Sequence, residues 1–264
     1  MKYGILGLVV AATYYGVAPV AHRAESGGAR QGQDWSWSGR LAAGRTLEIR
    51  GVNGEVSAEP ASGDQVEVRA TKHGRDDDPD DVRIEVVEHD GGVTICAVYP
   101  GRSNTCRPGG GTMRVRDNDV EVDFTVRVPR GVRFEGVSVN GDVAATNLDG
   151  PVELHTVNGG VQLETASGDA EAQTVNGGIT AVVHALGERP LRFQTVNGGI
   201  TVSLPAGLDA DLEAQTVNGS IQTDFAIQVQ GRMNPRELNG RIGRGGRVLE
   251  LETVNGSIRL RRLP

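Results

Sequence analysis

Residues able to do chemistry are thinly spread along this sequence of 264 residues. The densest acidic run is Asp76-Asp77-Asp78-Pro79-Asp80-Asp81. Clustered carboxylates suit a hard cation such as Ca²⁺, but the run lacks the spacing and the glycine of a helix-loop-helix calcium loop. The Gly-Gly-x-Gly-x-Asp repeat of calcium-binding toxins is absent too, so the run reads as a solvated loop. The five histidines, His22, His73, His89, His155 and His184, form no pair with metal spacing. The stretch Gly240 to Arg247 is basic and glycine-rich but lacks the Lys-Ser/Thr pair of a phosphate loop; it reads as a surface loop. No Gly-x-Ser-x-Gly elbow occurs. One set, Glu153, His155, Glu164, Glu171 and Arg192, could share a coil face as in polysaccharide lyases and hydrolases built on β-helices. The same residues equally describe a solvated outer face. The expectation is no enzyme: no catalytic, cofactor or metal site.

Cys96 and Cys106 are the only cysteines. Two cysteines in an exported chain point to one disulfide, closing a small loop. Export is expected from residues 1–24, where a positive start precedes an uncharged run from Gly4 to Ala21. Cleavage after a small residue (Ala18, Ala21 or Ala24) would give a secreted, periplasmic or surface protein. An uncleaved run is long enough to remain as an anchor. Residues 25–44 read as a linker or cap, in which Trp35 and Trp37 either cover the open end of a stack or hold a sugar. The domain proper spans 45–264, with an irregular, disulfide-bearing insertion at about 73–120.

The net charge of −7 argues against nucleic acid as a partner. Charge is uneven, however: residues 232–264 carry eight arginines and a net of +5. That segment reads as a terminal coil and loop, or as a contact for an anionic polymer or lipid. An envelope component or surface ligand is the partner class this composition allows.

What must position all these residues is a repeat. Thr156-Val157-Asn158-Gly159 recurs from Thr174, Thr195, Thr216 and Thr253, each time followed by Gly or Ser and then Val or Ile. Degenerate copies begin at Gly51, Ser138 and Glu237. Glycines 141, 150, 159, 168 and 177 mark a nine-residue half-period. Asn-Gly and Asp-Gly take positive φ cheaply and so reverse a chain tightly. Between the turns, alternation such as Leu191-Arg192-Phe193-Gln194-Thr195 makes strands apolar on one face. Each repeat is then strand, turn, strand, turn.

An antiparallel meander has no reason to repeat four identical residues, whereas a solenoid stacks equivalent positions about 4.8 Å apart. Identical asparagines then bond amide to amide. The fold class expected is all-β, a single-stranded parallel β-solenoid (β-helix) of 18–21-residue coils. Its structural ladder is Asn140, Asn158, Asn176, Asn197, Asn218, Asn239 and Asn255, in sequence order. Thr faces inward, and the residue before it (Val137, His155, Gln173, Gln194, Gln215, Glu252) faces outward. The motif valine either bends into a corner, the reading preferred here, or lines an exposed column.

Val126-Arg127-Val128-Pro129-Arg130-Gly131, then Val137-Ser138-Val139-Asn140-Gly141-Asp142-Val143, then the run of Thr-Val-Asn-Gly copies, resemble the bacterial putative-adhesin family. That family is a β-solenoid domain of unknown function, and the resemblance covers about residues 40–262. It implies a non-catalytic envelope or surface protein, an adhesin or scaffold, and brings no catalytic residues. Function is then expected in the unrepeated positions: the outward stripe, the 73–120 insertion or the basic end.

Overall fold

A computed structural model describes residues 30–166, 168–187, 189–229 and 234–263. The expected export segment, 1–24, lies outside the described residues, as does the first part of the 25–44 linker. Among the described residues no helix is long and apolar enough to cross a membrane.

Among the described residues the chain is all-β, with two mixed sheets of eleven strands each. The period-two patterns decide which faces meet. In Ala170–Asn176 the burial alternates through Ala170, Ala172 and Thr174, and in Ile179–Val183 through Ile179, Ala181 and Val183. The strand before each turn joins one sheet, termed here the motif sheet; the strand after it joins the other, the return sheet. The inward residues of both form one continuous core of Val, Leu, Ile, Ala and a few Phe. The centre is parallel and in register. In the return sheet Val143 faces Val161, Val161 faces Ile179 and Ile179 faces Ile200. In the motif sheet Val152 pairs with Ala170, and Thr174 with Thr195.

Three expectations need correction. First, the stack does not follow sequence order. Leu191–Asn197 pairs with Arg247–Asn255, which pairs in turn with Ala210–Asn218. In the return sheet Ile258–Arg262 likewise separates Ile200–Leu204 from Ile221–Thr223. The last repeat is an inserted layer, because every copy of the motif offers the same stacking surface and any two can be neighbours.

Second, the stack is not parallel throughout. At one end Glu237–Ile242 runs antiparallel between Ala210–Asn218 and Ile227–Val229. At the other, Gln65–Gly74 runs antiparallel to Glu121–Val128 and carries Trp35–Arg40 on its far side. Short end strands such as the three-residue Ile227–Val229 blunt an edge that would otherwise template further strands. At the opposite end Trp35 and Trp37 are half-buried and pack on the core.

Third, the 73–120 segment is part sheet and part irregular: 99–120 forms no strand, while two strands before it join the sheets. Arg83–His89 and Gly92–Val98 form a hairpin on the outer side of Thr46–Arg50. The Cys96–Cys106 disulfide is formed, with an S–S distance of 2.01 Å. It ties the following loop onto this hairpin, in a small second core with Val98. The Asp run also has local duties. Asp119 accepts the backbone N–H groups of Arg75, Asp76 and Asp77, Asp78 caps a short 3-10 turn, and Asp80 pairs with Lys72 at 2.9 Å.

Candidate functional site

The motif gives each of its residues a separate task. Thr points inward, and its hydroxyl donates to the turn carbonyl of the adjacent layer. Thr156 reaches Gly141 O at 2.8 Å, Thr174 reaches Gly159 O at 2.9 Å, and Thr195 reaches Gly177 O at 2.9 Å. Thr253 and Thr216 do the same to Gly198 and Gly256, both at 2.8 Å. A β-branched body fills the corner while the hydroxyl satisfies a carbonyl.

The asparagines form a ladder along the outside. Its order is Asn53, Asn140, Asn158, Asn176, Asn197, Asn255, Asn218. Each Nδ2 donates to the Oδ1 of the preceding member at 2.8 Å. Asn239 is not a rung. It lies on the antiparallel strand opposite Glu213 and donates to Glu237 at 3.0 Å. Asn53, from a degenerate copy, supplies the first rung instead. A double-mutant cycle should therefore show coupling of at least about 0.5 kcal/mol between Asn197→Ala and Asn255→Ala in urea unfolding. Asn158→Ala and Asn218→Ala, four layers apart with no shared partner, should add within about 0.5 kcal/mol.

The glycine after each asparagine serves a purpose other than the expected one. Of the motif glycines in the stack, only Gly54 has positive φ. At Gly141, Gly159, Gly177, Gly198, Gly256 and Gly219 a Cβ would overlap the carbonyl oxygen of the neighbouring layer's glycine. Glycine is required because layers touch there.

The preferred corner reading for the motif valine is corrected. Val139, Val157, Val175, Val196 and Val254 are 36–39% exposed, and Val217 49%. Strands such as Leu191–Asn197 continue through Thr-Val-Asn, so alternation carries Val outward and the chain bends one residue later. With Thr drawn inward, the columns on either side of it border a groove of about 490 Å³. One wall is polar: His155, Gln173, Gln194, Glu252 and Gln215. The other is apolar: Val175, Val196, Val254 and Val217. The strand register aligns both walls along the stack.

Beside the polar wall runs a charged column. Glu48, Glu135, Glu153 and Glu171 sit side by side, followed by Arg192 and Glu250. Like charges in register repel, and arginines offset them. Arg133 pairs with Glu153 at 2.7 Å, Arg192 with Glu250 at 2.8 Å, and Arg50 with Glu48. Burial, aided by Glu48 and Glu153, pushes the Glu135 carboxyl above its ordinary range. Burial also lowers the His155 pKa, outweighing the opposite pull of Glu171 and Glu153. Its ring is therefore neutral at pH 7, a hydrogen-bonding surface more than a charge.

Four of the five residues considered for sugar cleavage come together and one does not. Glu153, His155, Glu171 and Arg192 share this outer face, but Glu164 lies on the return sheet, 2.8 Å from His184. Among the described residues no group of three or more His, Cys, Asp or Glu is placed to hold a metal ion. The arginines near the C-terminus spread over several surfaces. Arg241 and Arg244 face Asp211 and Asp209. Arg259 and Arg261 sit on the inserted return strand, and Arg262 lies over the Phe225 ring at 5.4 Å. Those among the described residues still lie in the last few layers at one end of the stack, although the strand carrying Arg259, Arg261 and Arg262 is not the outermost.

A protein-family model described as Toastrack DUF4097 matches residues 46–261. The chain is similar to a solved "putative cell adhesion protein" from Clostridium sporogenes, at 11% identity and a TM-score of 0.46. That match covers 88% of this chain and 100% of the other. It is also similar to a "putative adhesin" from Bacteroides fragilis, at 10% identity over 88% and 97% of the two chains, with a TM-score of 0.29. No curated protein matches.

Proposed function

Because this chain belongs to the Toastrack DUF4097 family, we propose that it is a non-catalytic, exported β-solenoid of the bacterial envelope or surface. It would act as an adhesin-like or scaffolding rod that binds an elongated ligand along its side. The observation that carries this reading is the solvent-facing valine column opposite a polar column. Soluble proteins seldom leave a row of large apolar side chains in register without a use for it. A groove with one apolar and one polar wall suits a polymer that is itself amphipathic, such as a cell-wall glycan or an extended surface chain. The disulfide favours an oxidising compartment, in keeping with export. The parallel central layers favour the solenoid, with 18–21-residue coils, over a sandwich of hairpins.

The test combines a glycan array, isolated cell-wall polymer and a hydrolysis screen. Val175, Val196, Val254 and Val217 are changed together to threonine, which keeps the β-branch and replaces a methyl by a hydroxyl. Each change should move stability by no more than about 0.5 kcal/mol. The expected result is binding by the parent chain, at least about tenfold weaker in the variant, since each buried methyl contributes roughly 0.8 kcal/mol. Equal binding by both would remove the groove from consideration. Turnover of any polysaccharide, lost on Glu153→Gln or Glu171→Gln, would overturn the non-catalytic reading in favour of a β-helix enzyme.

A further inference from the structure

The asparagine ladder has two unlike ends, and the difference is chemical. Asn-Gly is the sequence in which a side-chain amide is most easily lost. The glycine nitrogen attacks the asparagine Cγ, forming an N–C bond. The Cγ–Nδ2 bond breaks, and the amide leaves as ammonia with the proton given up by the glycine nitrogen. Water then opens the resulting succinimide at either carbonyl, leaving aspartate or isoaspartate. The reaction needs a free backbone N–H and an asparagine able to swing toward it.

Inside the stack both requirements are blocked. Each glycine N–H donates to the carbonyl of the asparagine one layer on. Gly54 bonds Asn140, Gly141 bonds Asn158 and Gly159 bonds Asn176, at 2.9, 2.9 and 3.0 Å. Gly177 bonds Asn197, Gly198 bonds Asn255 and Gly256 bonds Asn218, each at 3.0 Å. From Asn140 to Asn255, every asparagine also donates through Nδ2 and accepts through Oδ1. The series stops at Asn218-Gly219. There the Asn218 amide donates to Asn255 but no further rung donates to its own Oδ1. Among the described residues, no layer follows to receive the Gly219 N–H. Both residues are exposed, whereas the other stack glycines are half-buried. The remaining Asn-Gly, at Asn239, lies in a strand paired on both sides, where Gly240 faces Leu212 and Val229.

We propose that Asn218 is a modification site, the place at which this chain deamidates spontaneously while the other Asn-Gly pairs are held by the stack. The product removes one amide donor from Asn255 and puts a carboxylate at the open end of the ladder. The isoaspartyl form also lengthens the backbone by one atom beside Val217. The inference is independent of what the groove binds.

The experiment uses the unaltered full-length chain. It is held folded at mildly alkaline pH, digested in acid, and each Asn-Gly is quantified by tandem mass spectrometry. Asn218 is expected to convert at least about tenfold faster than Asn158, Asn176, Asn197 and Asn239, because those need local opening first. In urea the sites should converge on similar rates. Conversion of Asn158 or Asn176 in step with Asn218 in the folded chain, or protection of Asn218 equal to theirs, would overturn the proposal.

Discussion

Gly198→Ala is expected to destabilise the chain by more than about 3 kcal/mol, the upper range for overpacking a site that cannot relax. The added Cβ would overlap Gly177 O, and Gly177 N–H is itself bonded to Asn197 one layer on. Relief would require separating layers that share the asparagine ladder and the Thr195 hydroxyl bond to Gly177. The neighbouring position supplies the control. At Gly160 the nearest atom to an added Cβ is 3.7 Å away, and equivalent positions hold Ser220 and Ser257. Gly160→Ser should therefore stay within about 0.5 kcal/mol of the parent. Urea unfolding measures both. A cost for Gly198→Ala below about 1 kcal/mol would mean the layers are not in contact at this carbonyl.

This contrast explains which parts of the fold were legible. Thr, Asn and the spacing of the copies report on stacking, and stacking repeats in every layer, so four residues identify it. The reason for glycine was not legible. Asn-Gly is also a turn signal that favours positive φ, and sequence cannot separate that demand from the absence of room beside a neighbouring carbonyl. The valine was misread because the bend was placed one residue early; Val175 and Val196 lie on strands that continue to Asn176 and Asn197. Glu237-Leu238-Asn239-Gly240 matched the motif as a string, yet Glu237 stands where Thr must face inward and Arg241 follows Gly240. Those two differences were the available sign that it belongs to a hairpin. The groove itself was half visible. Its polar wall was identified as an outward stripe, while its apolar wall depended on the valine. Layer order was beyond reach, because copies similar enough to stack on one another carry no mark of which neighbour each takes.

That last point has the second large effect. Leu251→Ala is expected to cost about 3 kcal/mol, within the range for deleting a buried leucine side chain. Leu251 is fully buried and sits between Phe193 and Ala214 in the motif sheet. Both neighbours are held by strands paired on their far sides as well, so the cavity cannot collapse from either direction. Hydrogen exchange should speed up in Leu191–Asn197 and Ala210–Asn218 together, the strands on either side of the inserted layer. Sequence order predicts something else: the last repeat would be the end of the rod, and shortening one of its side chains would loosen that repeat alone. The actual edge of the motif sheet is Ile227–Val229, where Ile227 is half-buried. Ile227→Ala should cost only about 1 kcal/mol, because an edge side chain loses little burial and leaves no enclosed cavity. If the two substitutions cost the same, or if exchange changes only within 247–262, the last repeat does not lie between its neighbours, and the order Asn197, Asn255, Asn218 along the ladder falls with it.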